Sequence, residues 1–216
     1  MGGGAYAEFI VMDEDKIALK PATLNDLETS ALAIVGQTAA QAIERADVKP
    51  GQTVLIHGAG GAVGSLALQL AKGRGAKVIA VSYAGSRERL KQLGADEVLL
   101  YEDKDFTSRV KDVDLVLDTI GGEVQQQSFA LLKHDGLMIS FAQPPSQEEA
   151  AKFGVRAEML FTQTSKTSLE HIAGLADAGK LVPFLGPTYP LADVAKAWGD
   201  SRAQHVEGKI IFVSGE

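Results

Sequence analysis

Cysteine is absent from the 216 residues. That rules out a disulfide framework, a thiol nucleophile and a thiolate metal site, and it suits a reducing compartment, so a cytoplasmic location is expected. Long apolar runs are missing too, since none approaches the ~20 residues of a membrane span, and no membrane partner is expected. Positive charge is scarce and scattered. With 21 Lys and Arg against 28 Asp and Glu, the formal net charge of −7 leaves no basic face for nucleic acid. The four histidines, His57, His134, His171 and His205, show no ligand spacing and read as surface or strand-end residues rather than metal ligands. Met1-Gly2-Gly3-Gly4 has neither the charged nor the apolar region of a secretory leader, and Tyr6 stands where a myristoylation signal wants Ser or Thr. Neither signal is expected. The remainder, 45% hydrophobic and 23% charged, is ordinary for a soluble globular protein, and the length suits one full domain plus appendages.

What is present centres on Thr53 to Gly64, TVLIHGAGGAVG. Val54, Leu55 and Ile56 suit a strand buried on both faces of a parallel sheet, and Leu66, Leu68, Leu70 and Ala71 continue as a helix. Glycines in the turn between them allow a sharp bend and close approach of a pyrophosphate, while the unpaired amides and positive end of the following helix receive its charge. The dinucleotide fingerprint fits as Ala59-x-Gly61-x-x-Gly64, with alanine in place of the first glycine. Either Gly58 or Gly60 then supplies the positive-φ residue that Ala59 cannot comfortably provide.

Elements alternate on both sides of this turn. Ala5 to Met12 reads as a strand, Asp13 to Pro21 as a turn with a short extended piece, and Thr23 to Asp26 as capping residues for a helix, after which Ala31 to Arg45 is a longer one. Helix Ala62 to Lys72 leads to strand Lys77 to Ser82, and helix Ser86 to Leu93 to strand Glu97 to Leu100. Strand Asp114 to Asp118, helix Glu123 to Leu132, strand Leu137 to Phe141, strand Val155 to Phe161 and helix Ser168 to Ala178 follow. The tail adds helix Leu191 to Trp198 and strand Lys209 to Val213. This is the pattern of an α/β doubly wound parallel sheet, the Rossmann fold.

The second strand ends Val81-Ser82-Tyr83, where dinucleotide sites usually carry an acid that binds the ribose 2′-hydroxyl and repels a 2′-phosphate. Neutral Ser82, followed by Ser86, Arg87 and Arg89, offers hydroxyl and guanidinium donors instead, which favours NADPH. The plainer reading of Arg87 and Arg89 is two solvated positions on the next helix. Two further strand ends, Asp118-Thr119-Ile120-Gly121-Gly122 and Ser140-Phe141-Ala142, should line the cofactor, because ligands of open α/β sheets sit outside the carboxyl ends of the strands. Gly121-Gly122 is equally well explained as a turn before a helix. No catalytic acid or base stands out, and Asp118 suits a helix cap as well as a proton-transfer role. Hydride chemistry rests mostly on its cofactor, so the lack of a triad does not argue against an enzyme.

With these residues in view, the chain resembles the zinc-independent quinone oxidoreductases of the medium-chain dehydrogenase/reductase superfamily. The likeness runs through YAEFIVM, ALKPATL, VGQTAAQAI, KPGQTVLIHGAGGAVGSLALQLAK, LGADEV, DLVLDTIGG and GKIIFV. It implies an NADPH-dependent reductase of quinones or α,β-unsaturated carbonyls, and a place for Thr38 beneath the nicotinamide, where helix capping is the alternative. It further implies that most of a GroES-like catalytic domain precedes this chain, with remnants at both termini. Residues 1–30 are then remnant and connecting helix, 31–165 the dinucleotide domain, and 166–216 the C-terminal helices and strand. Where NADPH-preferring relatives carry a basic residue this chain has Gly85, which moves the expected 2′-phosphate contact to Arg87.

The expected cofactor residues are thus Thr38, Gly60, Gly61, Ala62, Val63, Ser82, Tyr83, Arg87, Thr119, Ile120, Phe141 and Ala142. Two other classes remain open, an NADP(H)-binding module without turnover and a crystallin-like structural protein. A homodimer is expected through the edge strand Val155 to Phe161.

Overall fold

Val54, Leu55 and Ile56 are all fully buried, yet they serve two different cores. Successive side chains of a strand point to opposite faces. Val54, Ile56, Val78, Ala80, Leu115, Leu117, Leu137 and Ile139 therefore pack into one layer, and Leu55, Ile79, Val81, Val116 and Met138 into the other. The computed structural model describes residues 6–103, 106–203 and 206–214. Its main sheet comprises β1 (Thr53–His57), β2 (Lys77–Ser82), β3 (Glu97–Leu100), β4 (Val113–Asp118), β5 (Leu132–Ser140) and β6 (Arg156–Met159), all parallel, in the order β3-β2-β1-β4-β5-β6. This is the doubly wound order, reversing at β1.

Helices α1 (Asp26–Ser30), α2 (Ala33–Arg45), α3 (Ala62–Gly73), α4 (Arg87–Gln92), α5 (Gly122–Ser128), α6 (Gln147–Phe153), α7 (Lys166–Asp177) and α8 (Val194–Ala203) complete the fold with a separate parallel pair, β7 (Leu185–Pro190) and β8 (Lys209–Val213). One face of the sheet is covered by α2, α3 and α7 through Ala39, Ile43, Leu66, Ala67, Ile172 and Ala176. The other receives Phe106, Val110, Phe129, Leu131 and Ala150. A capping box starts α1, with the Asn25 side chain accepting from Glu28 N and Glu28 Oε2 accepting from Asn25 N, both at 2.9 Å. Thr23 instead ties to Asp177 at the end of α7. Among the described residues no helix is long and apolar enough to cross a membrane.

Two sequence expectations need correction, and two elements stand where none was expected. Tyr6 to Met12 forms no strand: Phe9 and Val11 are 89% and 101% exposed, and the Tyr6 ring meets Phe212 edge-on at 4.9 Å. An extended apolar segment becomes a strand only by pairing, and β8 pairs with β7 instead. Ala5 lies outside the described residues. β7 itself was not anticipated, because LGPTYP carries a glycine and two prolines. Nor was α6, which Ser146 caps by accepting from Glu149 N. The helix expected to reach Leu132 stops at Ser128, and after one 3-10 turn Leu132 opens β5, paired with Val113. The next matched pair is Leu115 with Leu137, so residues 133–136 bulge out of β5, with Asp135 at φ 63°.

Burial separates the aromatic residues by what they contribute. Replacing the fully buried Phe129 by alanine should lower the unfolding free energy by about 3–5 kcal/mol. Replacing Phe9 should change it by less than ~0.5 kcal/mol, both read from urea denaturation.

Candidate functional site

Because strand order reverses at β1, the chain leaves β1 towards α3 on one face and leaves β4 towards α5 on the other, opening a crevice at the carboxyl ends of the strands. Gly58, at φ +70°, makes the turn after β1. It is Gly58 rather than Gly60 that supplies the positive φ. A side chain on Gly64 would collide with the carbonyl oxygen of Gly58 and come within 2.7 Å of the Ala59 α-carbon, so α3 can pack onto the loop only with glycine there. A side chain on Gly60 would run into the hydroxyls of Ser82 and Ser86. Gly61 is the N-cap of α3 and has no side chain to cap with, and the first turn holds no acid, so no side-chain cap or carboxylate of that turn neutralises the first amides, those of Ala62 and Val63.

The loop is held from beneath by buried polar groups. Gly58 N–H donates to Tyr101 Oη at 2.8 Å, and the Tyr101 hydroxyl lies 3.4 Å from His57 Nδ1. His57 Nε2 meets Ser128 Oγ at 2.8 Å, and Ser128 spends its own proton on Val124 O at 2.7 Å, which assigns the histidine proton to Nε2. Burial pushes the His57 pKa down to about 4, against a smaller opposing pull from Asp118, and burial pushes the Tyr101 phenol up. At the end of β4, Asp118 is fully buried and all of its bonds are structural. Oδ1 accepts from Ile120 N at 3.0 Å and Gly121 N at 2.8 Å; Oδ2 accepts from Gln125 Nε2 at 2.9 Å and Ser140 Oγ at 2.8 Å. It shapes the turn before α5 and ties β4 to the end of β5.

Gly60, Gly61, Ser82, Tyr83, Thr119 and Ile120 come together around one cleft of ≈ 470 Å3, joined by Ser86 and Tyr101. Ala62 and Val63 line an adjoining cavity that shares Gly61 and Thr119 with the cleft. Thr38, Arg87, Phe141 and Ala142 do not line that cleft. Thr38 lies buried on α2, its hydroxyl donating to Ile34 O at 2.9 Å and meeting Thr162 Oγ1 at 2.6 Å. Arg87 opens α4, half-buried, and Arg89 is drawn away onto the Phe184 ring, 4.1 Å from its centroid. Phe141 and Ala142 follow β5, with Phe141 N donating to Asp118 O at 2.9 Å.

The buried hydroxyl of Ser86 makes no hydrogen bond among the described residues. An unpaired buried polar group costs about 1–3 kcal/mol, and this one faces the space that the missing Gly60 side chain leaves. That donor, the open amides of α3 and the cradle at Gly60 fit a dinucleotide. Sequence reasoning did not single out Tyr101, Ser201, Val206 or Glu207, which reach the cleft from distant segments with no local motif to mark them. Among the described residues no three His, Cys, Asp or Glu side chains converge as a metal would require, and His205 lies outside them.

Fold and loop together define a dinucleotide-binding domain of the Rossmann type. The family model described as zinc-binding dehydrogenase matches residues 93–212. Mouse "NAD(P)H oxidoreductase RTN4IP1, mitochondrial" is 29% identical over 96% of this chain and 61% of its own length. Tomato "2-methylene-furan-3-one reductase" is 31% identical over 97% of this chain and 52% of its own length. The solved quinone oxidoreductase of Coxiella burnetii superposes with a TM-score of 0.84 at 34% identity, covering 89% of this chain and 62% of that one. The chain belongs to the zinc-binding dehydrogenase family, in the quinone oxidoreductase-like branch of the medium-chain dehydrogenase/reductases, and spans about three fifths of the length of its curated relatives.

The buried histidine gives the fold a proton linkage. Between pH 6.5 and about 4 an unfolded His57 takes up a proton that the folded one refuses, so stability should fall as pH drops through that window. The loss should approach roughly 3 kcal/mol at the acid end. Melting temperatures from pH 7 to 5 should show this slope, and His57→Gln should flatten it.

Proposed function

We propose that the chain binds NADPH along this crevice and serves as the cofactor-holding part of a zinc-independent reductase of quinones or α,β-unsaturated carbonyls. The observation that carries the reading is the unpartnered Ser86 hydroxyl beside Gly60, at the mouth of a loop whose helix presents open amides. In this reading Ala62 and Val63 amides hold the pyrophosphate, and Ser82, Ser86 and Tyr83 surround the adenosine ribose. Arg87 serves the 2′-phosphate from the start of α4, while Thr119, Ile120, Phe141 and Ala142 run along the nicotinamide ribose and ring, with Thr38 beneath it. Bound reduced nicotinamide supplies the hydride. The chain's own part is to orient that ring and to keep water from it, with the exposed Ile120 side chain as an apolar wall. Names of relatives support the substrate classes, one being a quinone oxidoreductase and one an enone reductase. The proposed compartment is the cytoplasm, and the mitochondrial name of the mouse relative makes organelle fractionation the measurement that checks it.

Calorimetric titration should show NADPH binding more tightly than NADH, because no acid stands at Ser82. Gly60→Ala should weaken both by more than about tenfold by filling the cradle, and oxidation of NADPH should follow with a panel of quinones and enals. Equal affinity for the two cofactors sinks the 2′-phosphate assignment, and undiminished binding by Gly60→Ala sinks the site.

The proposed assembly is a two-fold homodimer through β6, the last strand of the sheet. Beyond it Phe161 is 69% exposed, whereas Glu158 on β6 is already paired with Arg45 at 2.7 Å. Light scattering should give twice the chain mass for the parent and a single chain for Phe161→Lys. A monomeric parent at high concentration refutes the interface.

A further inference from the structure

The C-terminal segment does more than close the small β7–β8 pair. Before entering β8 the chain crosses the glycine loop: Gly208 N donates to Gly60 O at 3.2 Å, and Gly208 is a parallel bridge partner of Gly61. The crossing admits only glycine, because Gly208 sits at φ +71° and a side chain would come within 2.7 Å of Phe184 O. On its other side the same unit is pinned to α4, with Arg89 Nη2 donating to Pro183 O at 3.3 Å and its guanidinium lying on the Phe184 ring. These two attachments place Glu207 in the cleft. Its carboxylate occupies the space that a side chain on Gly85 would need, within the 3-10 turn Ala84–Ser86 that follows Ser82 and Tyr83. Glu207 is half-buried and makes no hydrogen bond or ion pair among the described residues. A second carboxylate, Glu102, already accepts from Ala84 N at 3.1 Å, so the corner is acidic although β2 ends in serine.

We infer that Glu207 is a specificity-determining residue for the 2′ position of the cofactor, its carboxylate accepting the ribose hydroxyl of NADH and opposing the 2′-phosphate of NADPH. The inference rests on the dinucleotide reading above. It divides the task between two parts of the chain: Ser82 and Arg87 favour the phosphate, and the crossing segment narrows that preference with an acid brought from elsewhere in the sequence. The usual acid at the end of β2 is thus replaced in space, not in sequence. Charge opposition of this kind is strong at a half-buried site and is screened by salt.

The test uses the full chain with two probes that carry no nicotinamide, adenosine 2′,5′-bisphosphate and 5′-AMP, titrated calorimetrically at low and high salt. Glu207→Gln should bind the bisphosphate about tenfold more tightly and 5′-AMP within about twofold of the parent, and the gain should shrink at ~0.5 M salt. The backbone bond from Gly208 to Gly60 does not involve the substituted side chain, so the crossing segment stays in place. Affinities unchanged by Glu207→Gln, or raised equally for both probes, overturn this inference alone. Failure of the parent to bind either nucleotide overturns it together with the site.

Discussion

The contact on which the rest depends is between the carbonyl of Gly58 and the α-carbon of Gly64, where no side-chain atom fits. It lets α3 begin at Ala62, directly after the turn that follows β1, and lie close enough for Leu66, Ala67 and Ala71 to bury against the sheet. The same turn leaves the first amides of α3 without a side-chain cap and sets Gly60 against Ser82 and Ser86. Core and site are therefore inseparable at Gly64, since lifting the helix would open both. At Gly60 they separate, because what a side chain meets there is two rotatable hydroxyls rather than backbone.

The second feature is the cost of polar groups buried behind the loop. His57, Asp118, Gln125, Ser128 and Ser140 are all buried, and burial of such groups is tolerable only when their bonds are made. They are made, and each joins elements that sequence keeps apart. His57 and Ser128 connect β1 to α5, Asp118 and Ser140 connect β4 to β5, and Tyr101 connects the segment after β3 to the turn after β1. The strand ends that form the crevice are thereby fixed relative to one another. Asp118, the acid at the end of β4, is consumed in this framework.

The third is the crossing segment. Parallel pairing of β7 with β8 and the anchoring of Gly208 on the glycine loop bring Val206 and Glu207 onto a cleft built mainly by the ends of β1, β2 and β4 and the segment after β3. In the proposed reading, charge placed there acts on the adenosine end without altering the loop itself, so that cofactor preference is set apart from the pyrophosphate cradle.

Much of this was legible in residue order. Lys77–Ser82, Glu97–Leu100 and Lys209–Val213 stand as strands at the bounds the residues implied, because an apolar run framed by glycine or charge has few other ways to be buried. The glycine spacing located the loop for a similar reason: its requirement is local backbone geometry. Tyr6 to Met12 is as apolar as those strands and forms none, while Leu185–Pro190, with its glycine and prolines, does. Strand formation needs a partner, and propensity does not say which segments meet. Ser82 could be read as a neutral residue where an acid is usual, yet nothing near it told that Glu207 would arrive from the other end of the chain. Sequence alone determined the repeating elements and the loop, since these follow from neighbours within a few residues. Only the tertiary structure decided which strands pair, which hydroxyl is left without a bond and which carboxylate reaches the cleft, because each depends on distances between residues far apart in the chain.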